Sequence, residues 1–127
     1  MEYNKTGGST DSSYHKITLQ QKYLDLIKSN KKTVEGRLNT GRFKNIKVGD
    51  IVEWFSSNNK VITEIIFIHK YDSFENMLKH ETIDLVLPGI KSISEGVDIY
   101  NEFYEEKIKL IDDHDKVLAF GVRTIDF

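Results

Sequence analysis

At 127 residues, 39% of them hydrophobic and 30% charged, the chain has material for one domain around one core and too little for two. A formal net charge of −2 excludes a general attraction to nucleic acid or to an anionic membrane, so any polyanion site has to be local. Cysteine is absent, which removes disulfides, thiol nucleophiles and Cys-based zinc sites and makes an intracellular setting, cytoplasmic or nuclear, the expectation.

The opening, "MEYNKTGGSTDSSYH", is too polar to offset its ordering entropy, and residues 1–13 are expected to form a flexible tail ahead of a single domain over 14–127. It lacks the apolar stretch of a secretory signal, so the Asn4-Lys5-Thr6 triplet carries no glycosylation expectation. The longest apolar run, Ile65 to Ile68, falls far short of the roughly 20 residues needed to cross a bilayer, and no membrane partner is expected.

Order is predicted to begin with a short strand, His15 to Ile17. A helix follows, with Thr18-Leu19-Gln20-Gln21 as a capping box and Leu19, Tyr23, Leu26 and Ile27 on its buried face. Ser29-Asn30 ends it. Lys31 and Lys32 then lie where a helix C-terminus favours positive charge. In the next segment, "TVEGRL", alternation puts Val34, Gly36 and Leu38 on one face and Thr33, Glu35 and Arg37 on the other. The first face is core. Gly36 leaves it bare at that point, which suits a close approach by another segment. Gly41 to Lys44 reads as a basic loop, and "KVGD" as the turn into a strand Asp50 to Phe55. Ser56 to Asn59 should close a hairpin onto a long strand, Val61 to Ile68, with Trp54 in the interior rather than a stacking platform. Asp72-Ser73-Phe74-Glu75 signals a short helix with Phe74, Met77 and Leu78 inward, and Pro88-Gly89 breaks the chain. Ser94 is expected to precede a helix bearing Val97, Tyr100, Phe103 and Tyr104 on one stripe, with Phe103 as core. Val117 to Ile125 is the last strand, where Leu118, Phe120 and Val122 alternate with smaller residues.

Charge is unevenly spread. Residues 28–47 hold seven bases (Lys28, Lys31, Lys32, Arg37, Arg42, Lys44, Lys47) against the single acid Glu35, a net +6 that leaves −8 elsewhere. Lys32, Glu35, Arg37, Arg42, Lys44 and Lys47 are therefore the candidate ligand-binding set. Arg37 is suited to a forked grip on phosphate and Lys32 to a point charge. Glu35 cannot attract phosphate; it could orient Arg37 or accept from a base amine or a ribose hydroxyl. Tyr100 and Tyr104 are either core or stacking platforms, which spacing alone leaves open. The four histidines, His15, His69, His80 and His114, have no ligand spacing, and no Gly-rich phosphate loop or GxSxG elbow occurs, so neither a metal nor a cofactor is expected.

The ordered series "KKTVEGRL", "IKVGDIVEW", a hairpin, "YDSFENMLKHE", "LPGIKSISEGVDIYNEFY" and "VLAFGVRTI" resembles the ASCH domain (activating signal cointegrator homology) of the PUA-like superfamily across residues 15–126. Of its Gly-x-Lys-x-x-Glu-x-Arg hallmark, Lys32, Glu35 and Arg37 match, and Asn30 replaces the glycine. The resemblance implies an α+β fold, a small mixed β-barrel of five or six strands flanked by two or three helices. It also implies a cleft walled by the motif and RNA or a modified nucleoside as partner; a monomer is expected. Small bacterial relatives of this fold are amidohydrolases of N4-acetylcytidine, with a lysine at the place of Lys32 and a threonine at the place of Glu35. If the chain is an enzyme of that kind, Lys32 and Glu35 would be catalytic, with Glu81 or Asp84 as a second carboxylate. A protein-interaction module is the third reading, and the sequence shows no apolar patch that favours it.

Overall fold

The computed structural model describes residues 13–125. The expected tail lies outside them except for Ser13, as do the Asn4 triplet and the last two residues. The chain runs β1 (Tyr14–Thr18), α1 (Gln21–Lys28), β2 (Val34–Leu38), a 3-10 turn (Gly41–Asn45), β3 (Ile51–Ser56), β4 (Asn59–Tyr71), α2 (Phe74–Glu81), α3 (Ile83–Val86), α4 (Ile93–Tyr104), a second 3-10 turn (Ile108–Leu110) and β5 (Val117–Thr124). The five strands form one mixed sheet in the order β1-β3-β4-β5-β2, in which β1 and β3 run parallel and every other pair antiparallel.

Consecutive strands β1 and β2 are thus the two edges of the sheet, and α1 joins them. So short a connection between opposite edges requires the sheet to curl, and it does, into a half-barrel. Leu24 and Ile27 of α1 are buried against the inner core of Ile17, Val52, Trp54, Ile65, Leu118, Phe120 and Val122. The outer face carries a second core, in which Val34, Leu38, Val117 and Ala119 pack beneath Met77 and Leu78 of α2, Val86 and Leu87 around α3, and Tyr100 of α4. β5 lies between the two. Its alternating large and small residues are buried on both sides, which is why it reads as a nearly continuous apolar run.

Several local expectations are corrected. Thr18 ends β1, and the cap of α1 is Gln20, with no side-chain hydrogen bond, so the capping box does not form. The main chain explains this: Leu19 N–H donates to the Phe55 carbonyl, which keeps Thr18 and Leu19 extended. Leu24 takes the buried place expected of Leu26, which is half-buried. α4 begins at Ile93 rather than after Ser94 because Ser92 is its cap: Ser92 Oγ accepts from Glu95 N–H at 3.1 Å and donates to Glu95 Oε1 at 3.2 Å. Phe103 is 47% exposed, not core. The cap at Ser73, the β3–β4 hairpin and the interior place of Trp54, whose Nε1 donates to Thr63 Oγ1 at 2.9 Å, are as expected. No helix of the described residues is long and apolar enough to cross a membrane.

Gly36 has a strict steric reason. A Cβ there would stand 2.7 Å from Met77 Sδ and 2.9 Å from the Tyr100 hydroxyl oxygen, so the closely approaching segments are α2 and α4. Leu38→Ala should lower unfolding stability by about 2 to 5 kcal/mol and Gly36→Ala by about 1 to 3 kcal/mol, measured by urea titration. An unchanged midpoint for Leu38→Ala would mean that β2 presents its other face to the helices.

Candidate functional site

The charged face of β2 turns into the half-barrel. Glu35 and Arg37 stand opposite Phe120 and Leu118 of β5, beneath the open seam between the two sheet edges. Glu35 is only 6% exposed, and an isolated carboxylate there would cost several kcal/mol. It is not isolated. Lys32 Nζ donates to Oε1 at 3.0 Å and Arg37 Nε donates to Oε2 at 2.8 Å. Burial pushes the Glu35 carboxyl up, but the two cations outweigh it and hold the group below the usual carboxylate range.

Lys32 is 1% exposed, so it lies at the bottom of the cavity. Besides Glu35, its ammonium donates to the Val34 carbonyl at 2.7 Å and the Val86 carbonyl at 2.5 Å, so three acceptors meet its three N–H donors. Burial lowers its pKa, and Glu35 opposes that. Arg37 Nη2 donates to the Thr18 carbonyl at 3.1 Å, which links one sheet edge to the other. Its guanidinium carbon lies 5.2 Å from the Phe43 ring centroid and 5.5 Å from that of Trp54, a cation–π setting that fixes the plane of the group. Upstream, Asn30 adopts a left-handed φ of 63°, which explains how it replaces the hallmark glycine: asparagine is the side chain that best tolerates that region.

These residues wall a cavity of about 480 Å³. Thr18, Leu19, Gln20 and Tyr23 line it from β1 and α1, Lys32 to Arg37 from the motif, Phe55 to Ser57 from the β3–β4 hairpin, and Leu87, Ile99, Tyr100, Phe103 and Tyr104 from the helical layer. Burial grades the lining from a floor of Lys32, Glu35, Gly36, Leu87 and Tyr100 to a rim of Gln20, Ser57 and Phe103. With half-buried Arg37 beside it, the floor brings two cations and one carboxylate together, a net positive charge beneath aromatic walls. Tyr100 is both core and lining: it stacks on Phe74 with centroids 4.2 Å apart, and its hydroxyl lies over Gly36, a residue of the same lining. Burial raises its pKa well above that of a free phenol, and Glu35 adds to the shift. Tyr104 is likewise raised by burial and lies beside Arg37.

The other candidates lie elsewhere. Arg42 and Lys44, on the 3-10 turn, and Lys47 after it are exposed and do not line the cavity, although Phe43 between the first two packs on Arg37. Neither proposed second carboxylate reaches the cavity. Asp84 is exposed on α3, and Glu81 closes a separate cluster, in which Oε2 accepts from the Tyr71 hydroxyl and pairs with His69 Nδ1 at 2.6 Å. Burial, followed by Glu81, pushes the Tyr71 phenol up. Among the described residues no group of three or more potential ligands could hold a metal ion. Lining residues missed in the sequence, among them Tyr23, Phe55, Ser57 and Leu87, come from α1, the β3–β4 hairpin and the segment after α3, which only tertiary folding brings together. The link from Arg37 to the Thr18 carbonyl has no side-chain signature at all.

No curated protein is similar enough to the chain to count as a match. Among solved structures, the hypothetical protein PH0355 is 39% identical, with a TM-score of 0.79 over 88% of this chain and 99% of its own. Protein PF0455 from Pyrococcus furiosus is 33% identical, with a TM-score of 0.72 over 90% of this chain and 99% of its own. At 18% identity, ASCH from Zymomonas mobilis shares the fold, with a TM-score of 0.60 over 89% of this chain and 68% of its own. The family model of the ASCH domain matches residues 17–123, from the inner core of β1 to the last turns of β5. The curled five-stranded sheet with its helical layer is accordingly a PUA-like half-barrel, and the chain belongs to the ASCH domain family.

Proposed function

We propose that this ASCH domain binds single-stranded RNA or a nucleotide derived from it, seating one nucleotide unit in the motif cavity and carrying out no chemistry on it. One observation carries the reading: a cavity of about 480 Å³ joins aromatic walls to a partly buried guanidinium, that of Arg37. The volume falls in the range of about 300 to 1,000 Å³ typical of small-molecule sites. Aromatic rings stack any base, and a forked cation suits phosphate. The exposed Arg42, Lys44 and Lys47 lie on the stretch next to Arg37, where the backbone of a longer strand can follow them.

The geometry supports hydrolysis less well. A general base must release a proton toward the cavity, and the Lys32 protons point to two carbonyls and a carboxylate. Both Glu35 oxygens are already bonded, and Glu81 and Asp84 stand outside the cavity.

For a short single-stranded RNA, log K should fall with log salt at a slope of about −0.7 per phosphate contacted. Reversing Lys44 and Lys47 to glutamate should flatten that slope and weaken all sequences alike. A flat salt response in the wild type would remove the basic turn from the interface.

Lys32→Ala strands Glu35 and two carbonyls, so it should cost about 3 to 5 kcal/mol of stability by urea unfolding; Lys32→Arg, too large for the site, should not restore the loss. Incubation of the wild type with N4-acetylcytidine should release no acetate. Measurable acetate release, lost on conservative change of Lys32, would replace the binding role by a hydrolytic one.

A further inference from the structure

One polar group on the cavity floor has no partner. The Tyr100 hydroxyl makes no hydrogen bond with any described residue, although the side chain is 7% exposed and buried hydroxyls in folded proteins are nearly always bonded. Its place is well defined. It lies 2.9 Å from where a Gly36 Cβ would stand, so it rests on the strand backbone between the two charged members of the motif, Glu35 and Arg37. Ring stacking on Phe74 prevents it from turning away. Gly36 is flanked along the strand by Glu35, both of whose oxygens are bonded, and by Arg37, which donates to Glu35 and to the Thr18 carbonyl and lies beside Tyr104. With Lys32 included, the floor keeps one positive charge that no described residue neutralises.

We infer that the floor is a receptor for a phosphate monoester, with phosphate oxygens accepting from Tyr100 O–H and Arg37 N–H while the base remains toward the Phe103 rim. This rests on the proposed RNA or nucleotide binding and gives it a direction, phosphate inward and base outward. An apolar or cationic group at the floor would leave both the hydroxyl and the extra charge uncompensated, and a base carbonyl would answer the hydroxyl but not the charge. Only an anion answers both. A phosphodiester within a strand has chain leaving from both sides, and a cavity of this size has room for about one nucleotide, so the group that reaches the floor is terminal. The ligand class is thus a nucleoside monophosphate or a strand end bearing phosphate.

The test uses the full chain and one single-stranded RNA hexamer in three forms: 5′-phosphorylated, 3′-phosphorylated, and with both ends hydroxyl. Titration calorimetry of the wild type should show one of the phosphorylated forms binding about tenfold tighter or more than the hydroxyl form, and which end it is identifies the source. Inorganic phosphate should compete with the tighter form. In Tyr100→Phe the ring and its Phe74 stack remain and an unpartnered polar group is removed, so the variant should keep wild-type thermal stability. It should lose most of the preference for phosphate, read as the ratio of the affinities for the phosphorylated and hydroxyl forms. Equal affinity of all three hexamers in the wild type would overturn the phosphate receptor and leave RNA binding standing. A preference unchanged in Tyr100→Phe would overturn the role of that hydroxyl, and no binding in any form would overturn this inference and the proposed function together.

Discussion

A carboxylate buried between two cations is the constraint on which the rest of this structure depends. Glu35 has almost no contact with bulk water, and removing an ion of that size from water costs several kcal/mol unless it is closely paired. Its pairing recruits the whole fold. Lys32 can reach it only if the turn after α1 places that side chain beneath the sheet, and the ammonium then needs the Val86 carbonyl of α3 for its third proton. Arg37 can reach it only as a same-face neighbour on β2, and the guanidinium then reaches the Thr18 carbonyl on β1. One ionic chain therefore links β1, β2, the turn after α1 and α3. It crosses the seam that a half-barrel with edges at β1 and β2 would otherwise leave open.

That dependence accounts for the spacing of the motif. Glu35 stands three positions after Lys32 because the chain between them leaves a turn and enters a strand, which brings the lysine back under the strand. Arg37 stands two positions after Glu35 because strand side chains alternate. Gly36, between them, faces the opposite way, and its missing side chain lets the Tyr100 hydroxyl rest on the strand. The residue that contributes no atoms to the ionic chain thus sets how deep the cavity can be.

Much of this was legible in the sequence, and the rest was hidden for physical reasons. The mixed α and β character and the β3–β4 hairpin follow from periodicity and turn chemistry, and the two-faced character of β2 follows from alternation. The role of Lys32 did not. A lysine after a helix looks solvated by every local rule, because the acceptors that bury it, two main-chain carbonyls and a carboxylate, are assembled by tertiary contacts. Arg42, Lys44 and Lys47 show the reverse case: they share a charge run with Lys32 and Arg37, but the run spans a strand and a 3-10 turn that present charge in different directions. Charge counted along the chain cannot separate these groups; burial does. Phe103 was misread because an aromatic stripe at helical spacing implies core only where another element covers it, and α4 meets a cavity at that point.

The identity of residue 35 also decides which chemistry the cavity could support. With a carboxylate at 3.0 Å, the protonated form of Lys32 is stabilised by ion pairing as well as by two carbonyls, and taking its proton would leave Glu35 with one cation in place of two. A neutral hydroxyl at the same position would remove that partner while the burial remained, and burial alone drives a lysine toward the uncharged state. The same lysine on the same scaffold would then be closer to a base than to a fixed countercharge. Whether Lys32 is a fixed countercharge or drifts toward the uncharged state thus comes down to the charge of a single side chain, and in this chain that side chain is Glu35.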